Sequence, residues 1–185
     1  MGRSDFPLTT PRLSLRPYVF DDLDALHDIQ SLPEVTRYLM YGTRDRDQVR
    51  EILEQRIRAD GPERDVVNLA VVLPDSGTLI GDVVLFLRNP EHRQGEIGYV
   101  FHPDYGGRGY ATEAARVLLR LGFTDYGLHR IIGRLDARNT ASARVLERLG
   151  MRREAHFVEN EIVKGEWTDE VVFAMLEDEW RSQQV

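Results

Sequence analysis

Apolar residues recur along the chain with two different periods. Leu13-Ser14-Leu15-Arg16-Pro17 alternates apolar and polar positions, the pattern of a half-buried strand that Pro17 puts at a sheet edge or ends. A helix is expected from a cap at Asp21 or Asp22 through Gln30, with Leu23, Leu26, His27 and Ile29 as its apolar or mixed positions. Pro33 interrupts the chain and starts a short second helix reaching Leu39. Arg46 to Ala59 carries Val49, Ile52, Leu53 and Ile57 on one face of a charged helix that Gly61-Pro62 stops. Val66–Leu73 and Leu79–Leu87 are runs rich in Val, Ile and Leu, joined by the turn signal Pro74-Asp75-Ser76-Gly77. Gly81-Asp82 marks a bulge in the second run. After the polar turn Asn89–Gln94, Glu96-Ile97-Gly98-Tyr99-Val100-Phe101 has strand character, so three antiparallel strands follow one another.

The second half changes rhythm. Val117, Leu118 and Leu121 sit at helical spacing behind a cluster of glycines, and Ile131–Asp136 reads as a strand. Asn139 is placed to cap a helix whose apolar face is Val145, Leu146 and Leu149 and whose stop is Gly150. Phe157–Val163 and Val171–Met175 read as two last strands around Lys164-Gly165-Glu166-Trp167, and Leu176–Trp180 as a final helical turn. There is no internal repeat, low-complexity tract or linker. The pattern is that of an α/β chain, and 185 residues suit a single domain over 1–185.

Composition narrows the chemistry by exclusion. The chain has no Cys, which removes disulfides and thiolate catalysis and suits a reducing, cytoplasmic setting. No apolar run approaches a membrane span, and Met1-Gly2-Arg3-Ser4-Asp5 lacks the apolar core of a secretory signal. A formal net charge of −7 argues against a nucleic-acid partner. The five His residues show no zinc-ligand spacing, so no metal is expected.

The chain is organised around Gly106-Gly107-Arg108-Gly109-Tyr110-Ala111-Thr112-Glu113-Ala114. These glycines join the strand ending at Phe101 to the helix after Ala114. Glycine permits positive φ and close backbone approach. A helix N-terminus presents unpaired N–H groups and the positive end of its dipole, so the turn is a candidate anion site with Arg108 as an added cation. A Walker loop would need Gly-Lys-Ser/Thr, and no Lys is present. A dinucleotide fingerprint would need a third small residue where Thr112 stands.

The stretch resembles the pyrophosphate loop of the GNAT superfamily of N-acyltransferases, whose pattern is Gln/Arg-x-x-Gly-x-Gly/Ala. Gly109-Tyr110-Ala111 matches its end, while Gly106 stands where Gln or Arg is usual. Gly107 to Ala114 is similar to the Gly-x-Gly-Tyr-Ala-Thr-Glu-Ala of the branch resembling ribosomal-protein N-terminal acetyltransferases. Thr9-Thr10-Pro11-Arg12-Leu13, Asn139-x-x-Ser142 with Gly150-Met151, and Gly165-x-Trp167-x-Asp169 extend the likeness from Thr10 to Trp180.

The resemblance implies a central mixed, mostly antiparallel sheet of about seven strands, flanked by helices and splayed between its two middle parallel strands. It implies acetyl-CoA as co-substrate. Pantetheine would pair with the backbone of Tyr99, Val100 and Phe101. The pyrophosphate would lie on the amides of Gly107, Arg108, Gly109, Tyr110, Ala111 and Thr112, Asn139 would hold the pantetheine or its thiol end, and Ser142 would also contact the cofactor. The acceptor would be an amine-bearing small molecule or a protein N-terminus, and the enzyme a monomer or homodimer. Ser142 is the candidate acid for the departing thiolate. Glu96 is the candidate base, weighed against an exposed strand-end carboxylate, with Asp82, Glu161 and Asp169 as alternatives. His102 suits either the lining of the cleft or, as the favoured reading, a surface or packed histidine. Tyr38, Tyr41, Phe157 and Trp167 suit either a cation-binding wall or, as the favoured reading, ordinary core.

Overall fold

A computed structural model describes residues 6–58 and 65–183; the expected helix end at Ala59 and the Gly61-Pro62 stop lie outside them. Its sheet has eight strands in the order β1-β2-β3-β4-β5-β6-β8-β7, one more than expected. The strands are β1 (Leu8–Thr9), β2 (Ser14–Arg16), β3 (Val66–Val72), β4 (Leu79–Asn89), β5 (Gln94–Phe101), β6 (Arg130–Asp136), β7 (Arg152–Val163) and β8 (Glu166–Leu176). The helices are α1 (Leu23–Gln30), α2 (Pro33–Thr36), α3 (Arg46–Arg58), α4 (Tyr110–Arg120), α5 (Thr140–Arg148) and α6 (Glu177–Ser182). All strand pairs are antiparallel except β5 with β6.

Period-two alternation sends residues to two separate cores. Val67, Leu69 and Val71 of β3 and Val83 and Leu85 of β4 pack with Ala114, Leu118, Leu119 and Leu146 from α4 and α5. Ala70, Val72 and Leu79 face the other way, onto Leu26 and Ile29 of α1 and Val49 and Leu53 of α3. On β5 the same rule turns Ile97, Tyr99 and Phe101 toward α4 and α5, and Val100 toward α1 and α3. The strand between the two faces therefore separates two compartments.

Local details match or correct the sequence reading for physical reasons. Asp22 precedes α1 without capping it. Its carboxylate accepts from the Val19 N–H at 2.9 Å and from both terminal nitrogens of Arg16, at 2.8 and 2.7 Å. A charged fork outcompetes the helix's own amides for it. The expected bulge is present: Val71 pairs with Gly81 but Val72 with Leu79, leaving Ile80 as the extra residue. Gly81 beside it is forced, because a Cβ there would lie 2.5 Å from the Val100 carbonyl oxygen. Asn139 does cap α5, its Oδ1 accepting from the Ser142 N–H at 3.1 Å, and Gly150 ends that helix region at φ +81°. The last two strands begin five residues earlier than the expected runs Phe157–Val163 and Val171–Met175, and β7 is charged and exposed along most of its length.

The buried side chains of α4 carry the larger core. Leu118→Ala should destabilise the fold by about 2–5 kcal/mol. Val158→Ala on the exposed hairpin should stay within about 0.5 kcal/mol. Urea unfolding of both variants checks this, and equal effects would contradict the assigned core.

Candidate functional site

The parallel pair at the centre of the sheet is incomplete. β5 is paired to β4 along its whole length. It meets β6 only at Gln94↔Arg130, Gly95↔Ile131 and Glu96↔Ile132. Beyond Glu96 the two strands separate, although β6 stays paired to β8 as far as Asp136. The sheet is thus a V whose vertex is Glu96 and Ile132. One row of backbone groups from Ile97–Phe101 and another from Gly133–Asp136 face the gap. Backbone polar groups in a sheet interior are almost always paired, and an extended ligand carrying amides can supply the missing strand. Tyr99, Val100 and Phe101 lie along this open edge, as expected.

At the open end of the V the chain turns through the glycine loop. Gly107 and Gly109 have φ +72° and +81°, values that side-chain-bearing residues rarely adopt. A Cβ on Gly107 would meet nothing within 4 Å, so this side of the loop is open. The Gly106 N–H donates to Pro103 O at 2.8 Å, and the Glu113 N–H to Gly109 O at 3.0 Å. The intervening amides, Gly107 to Thr112, meet no acceptor among the described residues. Gly109 is the N-terminal cap of α4, so these donors stand at the positive end of the helix dipole. The hydroxyl oxygen of Thr112 is buried and without a hydrogen-bond partner among the described residues. Donors in this arrangement suit a diphosphate.

The loop is also tied down from outside. Glu113 Oε1 accepts from Thr10 Oγ1 at 2.6 Å, and Glu113 Oε2 from Arg12 Nε at 2.7 Å. Burial pushes the Glu113 carboxyl up, but the hydrogen bonds from Thr10 and Arg12 outweigh it and hold it below the usual range. A carboxyl lowered in this way contributes stability above its unfolded pKa, and that contribution is lost only as pH falls through the lower folded value.

Helix α5 closes the far side. The Tyr99 hydroxyl donates to the Ser142 carbonyl oxygen at 2.8 Å, joining β5 to the first turn of α5 across the gap. Burial pushes the Tyr99 phenol up, against the opposing effect of that hydrogen bond, so it remains a donor throughout the physiological range. The Asn139 N–H donates to Asp136 O at 2.8 Å while its Oδ1 caps Ser142, leaving the side-chain NH₂ for a ligand. The Ser142 hydroxyl has no hydrogen-bond partner among the described residues. Ser142 and Asn139 are therefore brought to the same helix start as Tyr99.

The other face of the V is acidic. Glu96 alternates with Gly95 and Ile97 and so points away from α4 and α5. It is the third residue of β5, its side chain is 16% exposed, and Arg88 Nε donates to its Oε2 at 2.9 Å. The reading of Glu96 as an exposed strand-end carboxylate is thereby corrected. Arg134 lies on the same face of β6, donating to Glu170 at 2.5 Å and Glu161 at 3.0 Å. The Glu170 hydrogen bond outweighs burial, and with Glu170, Glu96 and Glu161 nearby it raises the Arg134 pKa.

The alternative carboxylates are occupied. Asp82 is buried with Arg56 Nη1 at 3.3 Å, and the same nitrogen donates to Tyr18 Oη at 2.7 Å. Asp169 meets His156 Nε2 at 2.8 Å and accepts from the Glu159 N–H at 2.9 Å. Glu161 belongs to the Arg134 cluster. His102 accepts from the Asp104 N–H through Nδ1 at 3.3 Å and so serves the turn after β5.

The four aromatic residues are neither core nor one wall. Tyr41 stacks under Arg44 at 3.5 Å, and Tyr38 lies 5.2 Å from Arg37. Phe157 and Trp167 are 46% and 59% exposed. Phe157 pairs with Glu170 and Trp167 with Ile162, which puts them on opposite faces of the hairpin. Arg12, Glu113 and Arg134 were not singled out by the sequence. Their partners are distant in the chain, and the signals were the Thr10-Pro11-Arg12 opening and the place of Glu113 in the glycine-loop motif.

Comparison with known proteins follows the same lines. An acetyltransferase (GNAT) domain model matches residues 12–152. The uncharacterized N-acetyltransferase YnaD of Bacillus subtilis is 38% identical over 94% of this chain and 98% of its own. The crystal structure of a GNAT-family acetyltransferase from Bacillus anthracis superposes with a TM-score of 0.83 at 35% identity, covering 92% of this chain and 98% of the other. The spermidine N-acetyltransferase of Vibrio cholerae, solved with CoA and spermine, shares the fold at a TM-score of 0.80 and 23% identity, over 93% and 99% of the two chains.

Gly109→Glu should remove acetyl-CoA binding. It forces a side chain onto a φ of +81°, with its Cβ 3.5 Å from Arg12 Nη2, and adds a negative charge to the turn that is to hold the diphosphate. Calorimetry should show a measurable affinity for the wild type and a loss of about 100-fold or more for the variant, given the several kcal/mol that juxtaposed like charges cost. Equal affinity would remove the loop from the site.

Proposed function

The chain belongs to the GNAT family and is an acetyl-CoA-dependent N-acetyltransferase. From that premise we propose that it moves the acetyl group directly to a primary amine, on a small molecule or a protein N-terminus. The observation that carries this reading is the V. Its gap opens at the glycine loop, and its vertex carries a half-buried carboxylate, Glu96, on the face away from α4 and α5. Donor and acceptor can then reach the vertex from opposite faces. Holding them in one geometry is itself a large part of the rate enhancement.

The residues divide the work as follows. The amides from Gly107 to Thr112 hold the diphosphate, and the open edge of Tyr99 to Phe101 pairs with pantetheine. A backbone N–H of that edge polarises the thioester oxygen as charge develops on it. Glu96, at the vertex, takes the proton of the attacking ammonium through water. Ser142, whose hydroxyl is otherwise unengaged among the described residues, donates to the departing sulfur. Tyr99 fixes the helix turn that carries Ser142.

A cationic acceptor suits the acidic face. Glu96, Glu161 and Glu170 there face two arginines, Arg88 and Arg134, and an excess of carboxylate attracts ammonium groups. The Vibrio relative, solved with spermine, supports polyamines within this class. Gly107–Ala114 and Gly165-x-Trp167-x-Asp169 support the branch resembling ribosomal-protein N-terminal acetyltransferases, and with it a peptide N-terminus. A thiol-release assay across polyamines, other small amines and N-terminal peptides separates these. Tight acetyl-CoA binding without turnover on any amine would make the chain an acyl-CoA sensor instead.

Two variants test the assigned chemistry. Ser142→Ala should lower kcat about 10- to 100-fold, near the range for acid–base groups, with acetyl-CoA affinity little changed. A normal kcat with weakened binding would move Ser142 to the pantetheine site. Glu96→Gln should lower kcat/KM for the amine and abolish the acidic limb of its pH profile. An unchanged profile would strike Glu96 from the mechanism.

A further inference from the structure

The anion-binding turn does not hold its shape alone. Arg12, in the connection between β1 and β2, lies 96 residues from Arg108 and 101 from Glu113 in sequence, yet its guanidinium bonds both. Nη1 donates to the Arg108 carbonyl oxygen at 2.9 Å, Nε to Glu113 Oε2 at 2.7 Å and Nη2 to the same carboxylate oxygen at 2.5 Å. The Arg12 N–H also reaches Glu113 Oε1, at 3.3 Å. Its guanidinium lies 4.8 Å from the centre of the Tyr110 ring. A Cβ on Gly109 would come 3.5 Å from Nη2. The fork therefore brackets Gly109, holding the residue before it by its carbonyl and the residue one helical turn after it by its carboxylate.

We propose that Arg12 is a positioning residue for acetyl-CoA. It locks the Arg108–Gly109 turn onto the first turn of α4, so that the amides of Gly107 to Thr112 converge. This rests on the assignment of that loop to the diphosphate. Three features of the geometry support it. Arg108 and Gly109 form a turn with two left-handed glycines, Gly107 and Gly109, and glycine carries the largest backbone entropy to be removed on ordering. Turning the Arg108 carbonyl oxygen onto Arg12 aims the peptide's N–H side away from Arg12, and it keeps a carbonyl dipole from facing an anion. The planar fork satisfies a carbonyl and a carboxylate together, which an ammonium on a flexible stem does not reproduce. Glu113 and Thr10 complete the lock, Thr10 Oγ1 donating to Glu113 Oε1 at 2.6 Å.

Two other roles for the same cation are open to the same experiment. Arg12 could contact a phosphate itself, or it could merely neutralise Glu113 beside an anion site. Each predicts a different pattern of rescue. Acetyl-CoA affinity is measured by calorimetry for wild type, Arg12→Ala, Arg12→Lys and Arg12→Ala/Glu113→Gln, with steady-state kinetics on one accepted amine.

If Arg12 shapes the loop, Arg12→Ala should weaken acetyl-CoA about tenfold or more, the worth of one well-made charge-assisted hydrogen bond. The loss should fall on KM for acetyl-CoA rather than on kcat or on KM for the amine. Arg12→Lys should not restore affinity, and neither should removing the Glu113 charge in the double variant. Restoration by Lys would assign a simple charge role and overturn the proposal. Restoration by Glu113→Gln would assign neutralisation and overturn it equally. Unchanged affinity in Arg12→Ala, with Gly109→Glu still abolishing binding, would reject Arg12 while leaving the loop assignment standing. If both variants bound normally, the loop assignment itself would fail. Should Arg12→Ala not fold, Thr10→Val removes one arm of the lock and should weaken acetyl-CoA in the same direction by a smaller factor. No effect there would overturn the proposal.

Discussion

The structure depends on three residue pairs. β5 is held to β6 at Gln94, Gly95 and Glu96, and nowhere beyond. Everything else follows from strands that start parallel and then part. β4 holds β5 on one side and β8 holds β6 on the other, so neither strand can swing across to close the gap. Two rows of backbone donors and acceptors are left open inside a sheet, an arrangement with a cost unless a ligand pairs with them. The glycine loop lies at the open end of the V and Glu96 at its vertex. Binding and chemistry are therefore laid out along one strand.

The electrostatics divide along the same line. At the end of β5 the unpaired amides and the start of α4 favour an anion, and the carboxylate beside them, Glu113, is held by Arg12 and Thr10. On the face toward α1 and α3 the carboxylates Glu96, Glu161 and Glu170 are only partly offset by Arg88 and Arg134. Anionic donor and cationic acceptor thus have separate approaches. The buried Tyr18–Asp82–Arg56 group lies on the second face as well. There burial pulls the Arg56 pKa down, but the charge and hydrogen bond of Asp82, together with Tyr18 and Tyr41, outweigh it and raise the pKa. Arg56 joins Asp82 to the Tyr18 hydroxyl there.

Much of this was legible in the residues because it is local. The left-handed glycines, the Asn139 cap and the alternation along β3, β4 and β5 are each fixed within a few positions, and period and turn chemistry report them directly. What was not legible is what joins distant segments. Arg12 finds Glu113 and Arg108, Arg134 finds Glu161 and Glu170, and Tyr99 finds the Ser142 carbonyl, each through the sheet order rather than through spacing. Asp22 looked like a helix cap because nothing in its neighbourhood announces that Arg16 folds back to claim it. Phe157 and Trp167 looked like core because aromatic residues in a strand usually are. On the long hairpin of β7 and β8 they are about half exposed instead. β7 and β8 also start earlier than their apolar residues indicate, since polar and charged residues from Arg152 and from Glu166 extend each strand at its N-terminal end.

The central claim is that the gap between β5 and β6 receives the acetyl-CoA arm as an added strand. Amide hydrogen exchange, residue by residue, with and without acetyl-CoA tests it most directly, because exchange reports the pairing of individual N–H groups. The account predicts that acetyl-CoA slows exchange along the open edge from Tyr99 to Phe101 and in the loop from Gly107 to Thr112. The amides of residues 81–86 in β4, already paired on both sides, should change little. Binding without added protection on β5, or with protection confined to another face of the molecule, would contradict it.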